Sequence, residues 1–396
     1  MSILNLAIKA REASLKLQAL SEETRLTALD AISKDLLKYS DEILSENKKD
    51  LEDARMSNLS NSMLDRLTLT KKSILDLSRM CSEVANQKQV VGMIVESHTR
   101  HDGLIVQKQR IPLGVIGMIF ESRPNVVVDG AALAIKSGNA IILKGGKEAQ
   151  HSNRKLFEII HNATAKVLPA GSVSLIETRE DVAEILKLNK YIDLMVPRGG
   201  SALINYVKAN ASMPVVAHDK GLCHLYVHFD CNVDAKSIIL NAKTQRPGVC
   251  NALETLILNE NYPKNDEIIN ALTVAGVELN YPATDKDFAT EWLDKKISIK
   301  IVKNYSEAIE HIKKYSSHHT EAILAQDPNV IEDFMNSLDA SCIVINASTR
   351  FNDGGELGLG AELGISTSKL HVYGPMGAAE MTATRFIVTG AGHIRT

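Results

Sequence analysis

Short runs that are predominantly apolar, rather than apolar at alternate positions only, recur through the middle of the chain. They are Val115–Phe120 (VIGMIF), Ala140–Lys144 (AIILK), Ser172–Ile176, Ile192–Val196, Leu225–Phe229 and Thr255–Leu258. Continuous apolar runs of this length, bounded by Gly, Pro and Asn, predict strands buried on both faces. Helical spacing fills the gaps between the first of them, at Val126–Lys136, Glu148–Val167, Asp181–Leu188 and Ala202–Ala209. Pro214–Ala217 reads as one more strand. From residue 231 to about 350 the alternation continues: a helix over Val233–Lys243, a helix over Asn265–Ala275, strands near Val277 and at Ile299–Val302, a helix over Glu307–Tyr315, and strands at Glu321–Ala325 and Cys342–Asn346. Such alternation predicts an α/β fold with two parallel-sheet lobes, each sheet covered on both faces, and ligands bound beyond the carboxyl ends of the strands.

Two stretches depart from this pattern. Residues 1 to about 90 carry helical spacing alone, with Ile3, Leu6, Ala7, Ala10, Ala13 and Leu17 on one stripe. Asp102-Gly103 lies between strand-like segments Val95–His98 and Leu104–Ile111, a strong hairpin signal. A C-terminal run, Thr384–Gly390, can join that hairpin in a small sheet outside the main body. Such a sheet leaves open edges that a second subunit would cover, so a homo-oligomer is expected.

Composition narrows the chemistry. The chain has 396 residues, 44% hydrophobic, 23% charged and only 4% aromatic, with a net charge of -3. This balance offers no general attraction to nucleic acid or anionic lipid, so any anion site must be local. No apolar run reaches the roughly 18 residues that a membrane span needs. The N-terminal segment, interrupted by Lys9, Arg11 and Glu12, lacks the core of a signal peptide. Five widely spaced cysteines contain no C-x-x-C pair, and the twelve histidines no H-E-x-x-H. A reducing, cytoplasmic setting and no metal are expected.

One cysteine stands apart. Cys250 follows Gln245-Arg246-Pro247-Gly248, where Pro and Gly end the preceding helix, and sits just before the strand Thr255–Leu258. A cysteine is by default a small buried hydrophobe. A loop-to-strand junction with an arginine close by instead favours a thiolate, the nucleophilic form. Two glycine pairs follow strands: Lys144-Gly145-Gly146, and Arg198-Gly199-Gly200-Ser201 with Ser201 as the expected helix cap. Both offer backbone N–H groups to a phosphate, a nucleotide-site pattern.

These features together resemble the aldehyde dehydrogenase superfamily, in its γ-glutamyl phosphate reductase branch. The resemblance is carried by Met63–Leu67, Ile111–Ala149, Val196–Ile204, Asn241–Leu256, His318–Asp327, Ser348–Thr367 and Gly374–Gly377. It implies a nicotinamide domain over 1–97 and 110–220 with 356–375 returning to it, a catalytic domain over 221–355, and an oligomerisation arm over 98–109 and 376–396. It also implies roles. Cys250 would attack the acyl phosphate of L-glutamyl 5-phosphate to give a thioester, which NADPH would reduce to the semialdehyde. Asn125 would stabilise the oxyanion. Lys144, Gly145, Gly146, Gly199, Gly200, Ser201 and Glu291 would serve the cofactor, Glu291 at the nicotinamide ribose. Arg123, Arg246, Ser348 and Arg350 would bind the substrate. The resemblance also allows a complex with glutamate 5-kinase. Hydrolytic relatives activate water with a glutamate where this chain reads His218-Asp219-Lys220-Gly221, which suits a reductase that must keep water from its thioester. Within the same superfamily the competing expectation is an acylating enzyme using coenzyme A or another acyl phosphate. A redox-free cysteine transferase or hydrolase is disfavoured because no Cys-His-Asn arrangement is legible in the chain.

Overall fold

The computed structural model describes residues 2–218 and 220–395, apart from the side chains of residues 61 and 62. The chain divides into two compact units. One comprises Met1–Val216, Gly358–Gly364 and Met376–Thr396, the other Ala217–Leu357 and Ile365–Pro375.

In the first unit, strands β1 (Ile94–Thr99) and β2 (Ile105–Pro112) form the expected hairpin, and the strand Thr382–Thr389 pairs antiparallel with β2 from Thr382↔Pro112 to Thr389↔Ile105. Strands β3 (Val115–Phe120), β4 (Ala140–Lys144), β5 (Val173–Ile176) and β6 (Leu194–Arg198) make a parallel sheet in the order β5-β4-β3-β6. Every residue of β3 is buried, as its unbroken apolar run requires. The helix Val126–Lys136 is buried along nearly its whole length. A side chain at Gly130 would bring a Cβ within 3.2 Å of Ile141 and Leu143, so glycine lets this helix lie close on the sheet. Lys136 closes the layer from beneath. Its buried ammonium donates to Glu22 (2.5 Å) and to the carbonyls of Ala85 (3.0 Å) and Gln87 (2.8 Å), which satisfies all three of its protons.

In the second unit, β7 (Cys223–Val227), β8 (Leu253–Asn259), β9 (Glu278–Asn280), β10 (Lys296–Val302), β11 (Thr320–Leu324) and β12 (Cys342–Ile345) form a parallel sheet in the order β12-β11-β7-β8-β10-β9. Its core is aliphatic, with Leu225, Leu256, Leu258, Ile299 and Leu324 on one face and Ile257, Ile312, Ile323 and Phe334 on the other.

Five features differ from expectation. Pro214–Ala217 forms a single bridge, Val215 with Met195, rather than a strand. The helix Ser201–Asn210 is capped by Gly200, and Ser201 is its first residue. A further helix, Pro328–Ser337, was signalled by Asp327 at its cap and proline at its first turn. Residues 365–375 belong with the second unit, because Tyr373 (2.9 Å) and Lys369 (3.0 Å) bind Asp339 there. The boundary between units falls at residue 216 rather than 220, which puts His218 in the same unit as Cys250.

Candidate active site

The helix Ala235–Thr244 begins at an Asp234 cap, whose carboxylate accepts from the Ser237 N–H at 3.2 Å. It stops before Arg246-Pro247-Gly248, and the chain turns through Cys250 into β8. Cys250 is partly exposed. It lies at the amino end of β8, and the segments leading into β7, β10 and β11 supply its surroundings. Backbone at Gly221 crosses directly over it, so a side chain there would strike the Cys250 carbonyl and Cα. The buried Cys223 thiol donates to that carbonyl at 3.1 Å. This cluster therefore gathers at the amino ends of its sheet, opposite to the expectation for parallel sheets. The reason is connectivity: the nucleophile sits in a helix-to-strand turn, which precedes its strand.

Two histidines meet at the thiol, and the sequence alone did not single out either for this role. His319, just before β11, is fully buried, and its ring stands edge-on to His218 with centroids 5.6 Å apart. Burial on its own pushes the Cys250 thiol up. The charge of His319, together with hydrogen bonding from His218 and His319, outweighs that and leaves the thiol well below its ordinary value. Cys223, fully buried and beside the same thiol, is pushed well above. The chain thus separates one reactive thiol from one inert one. Asp219, between His218 and Lys220, lies outside the described residues.

Glu291 belongs to the same cluster. Its carboxylate accepts from the Gly221 N–H at 2.8 Å, and its proton affinity is raised by burial and by the neighbouring Cys250. The segment that bears it is clamped from below by Glu254, which accepts from the N–H of Trp292 (3.0 Å) and of Leu293 (3.4 Å). Glu254 in turn receives the Lys243 ammonium at 3.3 Å, and both side chains are essentially without solvent. Burial drives the Glu254 carboxyl up to about 7, partly offset by Lys243.

Of the predicted substrate residues, three lie in this unit. Ser348 caps the 3₁₀ turn Thr349–Phe351, and Arg350 donates to Gln245 at 2.9 Å. Burial lowers the Arg350 guanidinium, Cys250 acts to raise it, and Arg246 acts to lower it, so two guanidiniums and the thiol share one neighbourhood. Asn251 ties this turn to the nucleophile's loop through the Asn352 carbonyl at 2.9 Å, and Thr349 answers with a bond to the Asn251 carbonyl at 2.7 Å.

The remaining predicted residues are in the first unit. Asn125, at the start of the helix Val126–Lys136, donates to Asp129 at 2.8 Å. Burial raises the Asp129 carboxyl to about 6, with Arg198, Asn125 and Arg123 pulling it down. Beyond the carboxyl ends of β4 and β5 lies a small cleft of about 30 Å³ lined by Gly145, Gly146, Lys147, Gln150, Asn153, Ile176 and Glu177. Gly145 is required there, since a Cβ would meet the Asn153 amide and the Phe120 ring. Lys144, half-buried, has its proton affinity lowered by burial. Glu177 is held by Arg154 through a two-pronged ion pair (one bond 2.6 Å). At the second glycine pair a protein carboxylate stands at the helix start: Gly200 N–H donates to Glu121 at 2.8 Å. No group of three or more His, Cys, Asp or Glu residues is placed to hold a metal among the described residues, and no helix of theirs is long and apolar enough to cross a membrane.

Residues 7–288 match the profile of the aldehyde dehydrogenase family, and the chain belongs to that family. It is 45% identical over 407 residues to a γ-glutamyl phosphate reductase of Nitratiruptor sp., covering 98% of each chain. It is 46% identical over 414 residues to that of Desulfatibacillum aliphaticivorans, covering 100% of this chain and 99% of the other. A crystal structure of γ-glutamyl phosphate reductase from Thermotoga maritima superposes with a TM-score of 0.94 at 41% identity, covering 100% of both chains. Within the family, its place is among these γ-glutamyl phosphate reductases.

Proposed function

We propose that this chain reduces L-glutamyl 5-phosphate to L-glutamate 5-semialdehyde and inorganic phosphate, a glutamate-5-semialdehyde dehydrogenase step of proline biosynthesis, with NADPH as the reductant. The observation that carries the reading is the partly exposed Cys250 thiol, brought well below its ordinary proton affinity by two imidazoles. A thiolate displaces phosphate from an acyl phosphate and holds the acyl group as a thioester. Arg246 and Arg350, neighbours at the thiol, would receive the doubly charged phosphate, and Ser348 would keep the Arg350 turn in place. Asn125 is proposed as the oxyanion donor and Arg123 as a substrate contact. Among the described residues the carboxylate beside Cys250 is Glu291, and it is engaged by the Gly221 N–H. That favours a thioester that survives until it is reduced.

The cofactor reading rests on the cleft beyond β4 and β5. It is lined by Gly145, where a Cβ would strike the Asn153 amide and the Phe120 ring, and by Asn153, whose buried oxygen has no hydrogen-bond partner. Both features fit a polar ligand lying against backbone. Lys144 and Gly146 would hold the adenosine end, with Gly199, Gly200 and Ser201 near the pyrophosphate and Glu291 at the nicotinamide ribose. When bound, the reduced nicotinamide supplies the hydride that takes the acyl group to the aldehyde level. Exposed Lys147 lines the cleft, and Arg154 neutralises the carboxylate of Glu177 at its edge, so the cleft favours an extra phosphate. Lys147→Glu should raise the KM for NADP roughly tenfold to a hundredfold, the worth of one charge-assisted contact, and leave that for NAD much less changed. Initial rates with each cofactor check this.

The reading is tested with the purified protein, glutamate 5-semialdehyde, NADP and inorganic phosphate, following absorbance of the reduced nicotinamide. Reduction that requires phosphate is expected. Reduction that proceeds with coenzyme A and not with phosphate would refute it in favour of an acylating enzyme.

A further inference from the structure

His319 has a hydrogen-bond pattern that fixes which of its nitrogens is free. Its Nδ1 lies 2.7 Å from Thr320 Oγ1 and 3.7 Å from Cys223 Sγ. Asn352 Nδ2, which can only donate, reaches the same Thr320 oxygen at 2.8 Å and the His319 carbonyl at 3.3 Å. The Thr320 hydroxyl also bonds the Cys223 sulfur, whose own proton goes to the Cys250 carbonyl. With its proton directed to Cys223 and one lone pair filled by Asn352, Thr320 Oγ1 accepts at the other from His319 Nδ1–H. That tautomer leaves a lone pair on Nε2. Nε2 is buried, and among the described residues no hydrogen bond to it is settled, the group it faces being the Cys250 thiol. An unpaired buried ring nitrogen is costly, and such groups call for an explanation. The neighbour whose electrostatics His319 governs is the Cys250 thiol.

We propose, building on the reaction assigned above, that His319 is the acid–base partner of Cys250: Nε2 takes the thiol proton before attack and gives it to the departing phosphate. The balance is complete. A carbon–sulfur bond forms at the acyl carbon, the bond from that carbon to the phosphate oxygen breaks, its electron pair stays on oxygen, and the Nε2 proton lands there. His319 is then neutral beside the thioester. Once the aldehyde has left, the thiolate returns and His319 takes one proton from solvent, the single proton that the net reduction consumes. Thr320 and Asn352 are positioning residues, since they act through the imidazole. The other ionisable groups facing the pair are His218 before β7, Cys223 in β7, Glu291 before β10, and Arg350 with Arg246 beside the Ser348 turn.

The test follows alkylation of Cys250 by iodoacetamide against pH, read by mass spectrometry on the full-length protein. Rate tracks the thiolate fraction, so a lowered thiol reaches its plateau at lower pH. His319→Asn keeps a donor for Thr320 and removes Nε2. Its plateau should move up toward the ordinary thiol value of about 8.5, slowing alkylation near pH 6 by about tenfold or more. His218→Asn should shift it less. At about pH 9.5, where both thiols are ionised, His319→Asn and wild type should be acylated by p-nitrophenyl acetate at equal rates, because that leaving group needs no proton. Phosphate release from the acyl phosphate should stay slowed by about 10²-fold or more. An alkylation profile unchanged in folded His319→Asn overturns the pairing, and phosphate release restored at high pH overturns the proton donation. If His319→Asn fails to fold, Thr320→Val decides, with an upward shift expected and no shift overturning the pairing. Alkylation uses no substrate, so a wild type that shows the shift yet does not turn over the acyl phosphate rejects the assigned reaction and leaves the thiol–imidazole pair standing.

Discussion

Cys250→Ala should abolish phosphate-dependent oxidation of glutamate 5-semialdehyde, a fall of about 10⁴-fold or more, while binding of NADP survives. Removing a covalent nucleophile eliminates the route itself, and what remains is only the effect of holding reactants together. The surroundings make the substitution mild for the fold. Cys250 is partly exposed, and the contact it makes with Cys223 is through its carbonyl, which alanine keeps. The proposed nucleotide cleft is built from Gly145, Gly146, Lys147 and their neighbours in the other unit. Nucleotide fluorescence titration should therefore give an unaltered Kd beside an absent rate. Turnover near the wild-type level would end the thioester mechanism.

The second large effect is expected away from the reacting atoms. Glu254→Ala strips a buried ammonium, Lys243, of its counter-charge and releases the Trp292 and Leu293 N–H groups. Breaking a buried pair by removing one partner costs about 3–5 kcal/mol. Urea unfolding should show that loss as a lower midpoint, and activity should fall as well because the clamp carries the segment of Glu291. Glu254→Gln is milder, since its amide oxygen still accepts from one of the two N–H groups. The pair also has a pH signature. With its carboxyl raised to about 7 from an ordinary 4.5, Glu254 stays protonated in the native state while the unfolded chain ionises. Its contribution is therefore fully present below about 4.5, falls as pH rises toward about 7, and is constant above. Glu254→Gln should lack that slope, and a slope that persists would assign it to another group.

The sheets were readable because buried parallel strands announce themselves. Val115–Phe120, Ala140–Leu143 and Leu256–Leu258 are apolar at every position, and each lies in the strand expected of it. Pro214–Ala217 misled because an apolar run says nothing about whether a partner edge is within reach, and only Val215 found one. The glycine pair at 199–200 shows a different limit. Its helix start was legible, but Glu121, which bonds Gly200, comes from the loop after another strand. Cys250 could be singled out from its own loop. Its two imidazoles could not, because they arrive by parallel pairing, with β7 lying between β8 and β11. His218 drew notice only as a missing glutamate and His319 only as half of a histidine pair. The Thr320–Asn352 support for His319 was invisible for the same reason, and with it a Cys-His-Thr-Asn chain where none had been expected.

The strand Thr382–Thr389 fills one edge of β2, so the first unit is finished by residues at the far end of the polypeptide. During synthesis on the ribosome, the β2 edge stays open while the whole second unit, 217–357 and 365–375, is made. For that interval the nascent chain presents Ile105, Gln107 and Gln109 as an unpaired strand edge, a template for wrong partners. The order of translation thus makes the catalytic unit complete before the unit that begins the chain.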